Sequence, residues 1–272
     1  MSKIGVFDSG YGGLTVLRSL VKELPQYDYV YLGDNARSPY GGRSFDTVFE
    51  YTKQAVIWFF EHHQVDLVII ACNTASAKAL RQIQQTVLPD LFPNKRVLGV
   101  IRPTTETLGK FSNNGVVGVL GTEGTIKSDS YKIELNKFFP SLLVYQESCP
   151  LWVHLVENDV IDTPGSEFFI EYHVNKILSH SNKIDTLLLA CTHYPLLENS
   201  IKKIIPDGVK IISQGPIVAK SLRDYLQRHP EIKQNLSEQS MREFFTTDYY
   251  ADFDSIGSRF FGEEIKSKRI TL

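Results

Sequence analysis

Residues Val65–Thr74 read VDLVIIACNT, and residues Ile184–His193 read IDTLLLACTH. The two segments align without a gap at a constant offset of 119 residues, which places Cys72 on Cys191. Each contains a continuous apolar run, Leu67–Ala71 in the first and Leu187–Ala190 in the second, the pattern of a strand covered on both faces of a parallel sheet. Each run ends in Ala-Cys followed by two hydrogen-bonding residues, and shared apolar composition does not explain that ending. The pattern therefore predicts a duplicated α/β unit with a cysteine at the end of each equivalent strand.

A second pair of segments and the overall alternation of patterns support the duplication. Ile4–Ser9 reads IGVFDS and resembles VGVLGT at Val117–Thr122, at an offset of 113 residues. Further apolar runs predict strands at Tyr29–Leu32, Leu67–Ala71, Val97–Val100, Val116–Leu120, Leu187–Ala190 and Lys210–Ile212. Helical periodicity predicts helices at Leu14–Glu23, Asp46–His62, Ala75–Thr86, Ser128–Phe138 and Glu167–Leu178.

These patterns predict an α/β fold with two pseudo-twofold-related lobes. Each lobe is a mostly parallel sheet flanked by helices, and the active site lies in the cleft between the lobes, because ligands of such sheets bind at the carboxyl ends of the strands. We expect residues 1–97 and 210–272 to form the first lobe and residues 98–209 to form the second. If the lobes face each other, the two cysteines meet in the cleft.

Composition narrows the class of protein. The 29 Lys and Arg residues against 31 Asp and Glu give a net charge of −2, which argues against a nucleic-acid partner, since that would need a basic surplus. No apolar run approaches the length of a membrane span, and the first seven residues lead directly into a strand. The chain contains only three cysteines, an odd number, so a disulfide framework is not expected. We therefore expect a cytoplasmic enzyme or binding protein with free thiols.

The two strand-end cysteines are compatible with three chemistries. A redox couple usually has the spacing Cys-x-x-Cys, which is absent, and a metal site would need more ligands than the adjacent His193 provides. The third chemistry is proton transfer at one carbon, in which one thiol removes a proton and the other delivers one to the opposite face. A reversible reaction of this kind needs two equivalent groups, and the repeat supplies them. Cys149 has no repeat partner, and we predict that it is structural.

Five short blocks then identify a family. They read FDSGYGGLT at Phe7–Thr15, GDNARSPYG at Gly33–Gly41, ACNTA at Ala71–Ala75, GVLGTEGT at Gly118–Thr125 and CTHYPLL at Cys191–Leu197. In this order they resemble the signature blocks of cofactor-independent glutamate racemase, a family of the aspartate/glutamate racemase superfamily, over residues 4 to about 219, where Ile212–Gly215 resembles a late family turn. One segment departs: Arg102-Pro103-Thr104 stands where family members often carry Glu before the Pro and Gly after it.

The resemblance implies an isomerase that racemises glutamate with no cofactor and no metal. Cys72 would act on the α-proton of D-glutamate and Cys191 on that of L-glutamate, with Asp8 and His193 as further catalytic residues. The resemblance places the substrate against Asp8, Ser9, Pro39, Tyr40, Gly41, Asn73, Thr74, Thr192 and His193. Asp34 and Glu157 resemble acidic family residues near the site.

The resemblance also implies a bacterial, cytoplasmic homodimer that acts on a small molecule and supplies D-glutamate for peptidoglycan synthesis. Three alternatives remain open at this point. One is racemisation of aspartate or another acidic amino acid, and the second is a two-lobed protein that binds an acidic ligand without catalysis. The third is a single-thiol decarboxylase or isomerase of related fold, which would need only one of the two cysteines.

Overall fold

The computed structural model describes residues 1–272 and contains two sheets. The ten strands are β1 Lys3–Asp8, β2 Tyr29–Gly33, β3 Val65–Ile70, β4 Arg96–Gly99, β5 Val116–Gly121, β6 Leu143–Ser148, β7 Thr186–Ala190, β8 Lys210–Ser213, β9 Arg242–Thr246 and β10 Ser267–Arg269. One sheet has the order β10-β9-β2-β1-β3-β4 and the other the order β6-β5-β7-β8. Neighbouring strands run parallel in both sheets. The predicted α/β fold class is confirmed.

Helices cover both sheets. The α-helices are α1 Gly13–Glu23, α2 Phe45–His62, α3 Asn73–Lys78, α4 Leu80–Gln82, α5 Leu88–Leu91, α6 Ile101–Leu108, α7 Glu123–Lys127, α8 Ser130–Phe138, α9 Trp152–Glu157, α10 Pro164–Leu178, α11 Glu198–Lys202, α12 Gln214–Arg228, α13 Pro230–Lys233 and α14 Tyr250–Phe261. Short 3-10 turns lie at Asn35–Arg37 and Tyr194–Leu197, and a π-turn lies at Ile83–Val87. No helix combines the length and the apolar character that crossing a membrane requires.

One predicted helix differs from the structure. The stretch Ala75–Thr86 is divided at Ala79, whose φ of −118° departs from that of a regular α-helix, and continues through α4 and the π-turn. The interruption leaves α3 as a separate short helix that begins immediately after Cys72. The apolar periodicity predicts helical backbone through this stretch correctly, but it does not predict the turn at Ala79 or the π-turn.

The two sheets repeat one topology. The order β2-β1-β3-β4 in the larger sheet matches β6-β5-β7-β8 in the smaller one. Cys72 follows β3 and Cys191 follows β7, which hold the same place in their respective sheets. The two cysteine segments that align in the sequence therefore contain strands that are equivalent in the fold.

Two segments belong to a different sheet from the one that the predicted lobe boundaries, at residues 97/98 and 209/210, assign to them. Strand β4 pairs with β3, so Leu98 and Gly99 belong to the first sheet, and β8 pairs with β7, so residues Lys210–Ser213 belong to the second. Each sheet extends to the last residue that is hydrogen-bonded to the neighbouring strand. An apolar sequence pattern alone does not identify that residue. The division into two domains otherwise stays a prediction.

A shared core fixes the two sheets against each other. One continuous cluster of buried apolar side chains includes Ile4 and Leu67 from the first sheet and Leu120 and Leu187 from the second. Cys149 lies in the same cluster and is fully buried. The carboxyl ends of β1, β3 and β7 therefore meet on a packed support.

Candidate active site

Both strand-end cysteines line one cavity of about 220 Å³ between the two sheets. A volume below the range of about 300–1,000 Å³ typical for drug-sized ligands suits a small metabolite. Ten of the residues that the sequence predicts for the site line it: Ser9, Pro39, Tyr40, Gly41, Cys72, Asn73, Thr74, Cys191, Thr192 and His193. The structure thus brings together side chains that are far apart in the chain, and it places the paired thiols in one enclosure.

Cys72 stands at the start of α3 and acts as its N-terminal cap. Its Sγ accepts a hydrogen bond from the backbone N–H of Ala75 at 3.4 Å and lies 3.6 Å from Ser9 Oγ. Burial raises the pKa of this thiol to about 12, with repulsion from Asp8 adding to the effect and the Ala75 amide opposing it. Cys72 is therefore a protonated thiol at neutral pH, a form that can deliver a proton.

Cys191 has a different partner, because its Sγ lies 3.9 Å from Nδ1 of His193. The opposite ring nitrogen, Nε2, lies 2.9 Å from Oε1 of Glu157. Burial alone would lower the pKa of His193, but the hydrogen bonds to Cys191 and Glu157 outweigh burial and raise it to about 10. At neutral pH a protonated imidazole therefore donates to both neighbours and stabilises negative charge on Cys191 Sγ.

Asp8 lies behind the cavity and does not line it. One carboxylate oxygen accepts from the backbone N–H of Gly10 at 3.0 Å, and the other accepts from Thr192 Oγ1 at 3.4 Å. Burial raises the pKa of Asp8, while His193 and the amide donors act in the opposite direction. In this position Asp8 supports the cavity wall from behind, and its direct contact with the substrate stays a prediction.

The loop that carries Pro39 and Gly41 closes one side of the cavity. Tyr40 is buried, and its hydroxyl donates to Asp34, which also accepts from Arg37 Nε at 2.7 Å. The carbonyl oxygen of Gly41 accepts from the N–H of Gly124 at 2.8 Å, at the start of the second sheet's helix α7. Asp34 therefore anchors the loop from outside the cavity, and the loop bridges the two sheets.

Seven lining residues were not predicted from the sequence: Ser38, Gly42, Thr122, Glu123, Pro150, Val153 and His154. Thr122 carries a usable signal, because it is the repeat equivalent of Ser9. Its Oγ1 lies 2.9 Å from Oγ1 of Thr74 and links the two halves across the site. His154 and Val153 lie on α9, a short helix for which the repeats give no clue.

The cavity thus combines hydroxyls, a carboxamide, an imidazolium and two thiols, a set that can bind a small acidic molecule and exchange protons with it. No group of three or more His, Cys, Asp or Glu side chains is arranged to hold a metal ion. Arg102, part of the segment that departs from the family pattern, is exposed and pairs with Glu106.

Comparisons with known proteins show which family and which solved structures this chain resembles. The family model for Asp/Glu/hydantoin racemases matches residues 4–222. A glutamate racemase of Sulfurihydrogenibium is 38% identical over 269 residues, which is 99% of this chain and 97% of the relative. The crystal structure of a glutamate racemase isoform from Bacillus anthracis superposes with a TM-score of 0.90 at 35% identity, over 100% of this chain and 98% of that one. A glutamate racemase of Francisella tularensis, solved in complex with D-glutamate, gives a TM-score of 0.86 at 32% identity over 99% and 97% of the two chains.

Proposed function

The chain belongs to the Asp/Glu/hydantoin racemase family, and on that premise we propose that it interconverts L- and D-glutamate by proton transfer between Cys72 and Cys191. One observation carries the proposal. The two thiols lie at equivalent strand ends of a repeated topology and line the same small cavity. A binding protein would have no use for two such groups.

The proposed reaction balances with protons alone. One cysteine, as thiolate, takes the α-proton of glutamate and becomes a thiol, which leaves negative charge on the α-carbon and its carboxylate. The other cysteine, as thiol, gives its proton to the opposite face and becomes a thiolate. Cys191 takes the proton of L-glutamate and Cys72 that of D-glutamate, so each turnover leaves the pair ready for the reverse reaction.

The charges around the two thiols favour this exchange. The imidazolium of His193, 3.9 Å from Cys191 Sγ, stabilises the thiolate there, whereas the burial that raises the pKa of Cys72 keeps that thiol protonated. Donors that are already oriented in a water-poor cavity stabilise developing charge more than water does. The hydroxyl of Thr74 lies in the cavity wall, where it can serve as such a donor.

Two observations favour glutamate over aspartate as the substrate. The relatives are named glutamate racemases, and the Francisella protein was solved in complex with D-glutamate. One methylene contributes only about 1–3 kcal/mol of discrimination, or about 10–200-fold in kcat/KM. We therefore expect measurable but much weaker turnover of aspartate.

The test is the loss of optical rotation of L-glutamate on incubation with purified protein in the absence of pyridoxal phosphate and metal ions. Cys72→Ala and Cys191→Ala should each abolish it, and Cys149→Ala, which removes a buried thiol outside the cavity, should retain it. A wild-type protein that binds glutamate without changing its rotation would instead support the binding-protein alternative.

The D-glutamate produced would supply peptidoglycan synthesis. Growth of a bacterial strain that lacks its own glutamate racemase, restored by this gene and not by its Cys72→Ala variant, tests that role. The cytoplasmic location and the homodimer stay predictions of the family resemblance.

A further inference from the structure

Three buried side chains form a closed ring of hydrogen bonds beside Cys72. Asn73 Nδ2 donates to Gln214 Oε1 at 2.8 Å, Gln214 Nε2 donates to the hydroxyl of Tyr131 at 2.7 Å, and that hydroxyl donates to Asn73 Oδ1 at 2.6 Å. The three residues are 2%, 4% and 0% exposed, respectively. Each member donates to the next, and in a buried ring such bonds reinforce one another.

The contacts of Gln214 fix the orientation of the Asn73 carboxamide. Nε2 of Gln214 also lies 3.4 Å from the carbonyl oxygen of Val100, which can only accept, so the nitrogen of Gln214 faces the hydroxyl of Tyr131. That hydroxyl therefore accepts from Gln214 and gives its single proton to Asn73. The atom of Asn73 that faces Tyr131 is therefore the oxygen, and the nitrogen faces Gln214. One N–H of Asn73 remains outside the ring, on a side chain that lines the cavity.

The ring also joins both places where the chain passes between the sheets. Gln214 begins α12, which follows β8 on the return path, and its Nε2 also donates to Thr104 Oγ1 at 2.9 Å. Thr104 lies in α6, which follows β4 on the outward path, and its hydroxyl donates to the carbonyl of Val100 at 2.7 Å. Thr104 is the residue that stands where family members often carry Gly, so the hydroxyl that completes this network belongs to the departing segment.

We propose that Tyr131 and Gln214 are positioning residues for the racemase reaction, holding the Asn73 carboxamide so that its free N–H donates to a carboxylate oxygen of glutamate. The inference rests on the proposed function, because it needs glutamate as the ligand. When the ring is opened, the carboxamide can rotate and the N–H is no longer held toward the ligand. The weakened contact is made in the ground state and in the transition state alike, so KM should rise while kcat changes little.

The test compares Tyr131→Phe with Tyr29→Phe as a matched control. Tyr29 is also buried, and its hydroxyl donates to the carbonyl of Leu24 at 3.1 Å, away from the cavity. Tyr131→Phe should raise the Kd for D-glutamate, measured by titration calorimetry, and the KM by about tenfold, which corresponds to about 1.4 kcal/mol. The kcat should stay within about twofold, as expected when binding is lost uniformly. Tyr29→Phe should leave Kd, KM and kcat unchanged even where it lowers the melting temperature.

A double-mutant cycle shows whether Tyr131 acts through Asn73. In the Asn73→Ala background Tyr131→Phe should have no further effect on Kd, because the carboxamide that it holds is gone. If the two effects add, or if Tyr131→Phe leaves Kd and KM unchanged, the proposal is wrong. Gln214→Met opens the same ring from the other side and gives the same cycle if Tyr131→Phe does not fold.

The wild-type measurements separate this inference from the proposed function. A wild-type protein that binds D-glutamate without racemising it would contradict the proposed function, and the Kd values of the variants would still decide the role of the ring. A wild-type protein that neither binds nor racemises glutamate would overturn both.

Discussion

Replacing Glu157 with glutamine should lower the pKa of His193 without changing the shape of the site. Glutamine keeps the size of the side chain and can still accept from Nε2, which lies 2.9 Å from the carboxylate oxygen, but it removes the negative charge. His193 is buried, and its pKa is held at about 10 by Cys191 and Glu157 against the effect of burial. The substitution therefore removes one of the two contacts that keep the imidazole protonated.

The size of the shift follows from the lost charge. A hydrogen bond to a charged group contributes about 1.5–3 kcal/mol, and about 1.4 kcal/mol corresponds to one pKa unit. The pKa of His193 should fall by about one to two units. Titration of the imidazole by NMR, with its signal assigned through a His193→Gln variant, measures this shift directly. Because fewer molecules then carry the imidazolium that stabilises thiolate on Cys191, kcat/KM should begin to fall at a correspondingly lower pH.

Glu198→Gln is the control, because Glu198 lies on α11 and pairs with Lys202 at the surface. It should leave both the titration of His193 and the pH profile unchanged. An unaltered His193 titration in Glu157→Gln would refute the reasoning that this carboxylate sets the charge of the imidazole.

Two further predictions concern the packing and the titration of the same segment. A Cβ at Gly12 would overlap Thr192 Oγ1 and lie 2.5 Å from Nδ1 of His193. Gly12→Ala should therefore displace the Cys191 segment and lower kcat by about a hundredfold. Gly165→Ala is the control and should leave kcat unchanged, because a Cβ there meets nothing within 4 Å. Since the pKa of His193 is raised from 6.5 to about 10, its contribution to the free energy of unfolding is full below pH 6.5 and is lost as the pH rises toward 10. Chemical denaturation between these pH values should show the free energy of unfolding decreasing as the pH rises, and the decrease should be smaller in Glu157→Gln. An equal dependence of the unfolding free energy on pH in both proteins would contradict the prediction.

The central strands could be predicted from the sequence because both faces of each are buried. The apolar runs that contain Leu67–Ile70 and Leu187–Ala190 are long enough to be read without the structure, and their shared ending revealed the site. Edge strands gave no such signal: β10 reads SKR and contains no apolar residue, and β6 is largely half-buried. Their pairing depends on the neighbouring strand, which the local sequence does not specify.

The site was predictable where it follows strand ends and unpredictable where it depends on long-range contacts. Cys72 and Cys191 follow the repeat, and Thr122 could have been found the same way. The contacts of Asn73 with Tyr131 and Gln214 join residues 58 and 141 positions apart, and no periodicity encodes such contacts. They depend on how α8 and α12 pack against the start of α3.

The most direct test of the two-thiol mechanism is the fate of the α-proton in deuterium oxide. L-Glutamate is incubated with the protein, and both enantiomers are analysed by NMR and chiral separation while conversion is still small. If Cys191 removes the proton and Cys72 delivers a solvent-derived deuteron, the D-glutamate formed carries deuterium at the α-carbon while the remaining L-glutamate keeps protium. D-Glutamate that retains the original proton, or a Cys72→Ala variant that racemises at the parental rate, would contradict the account.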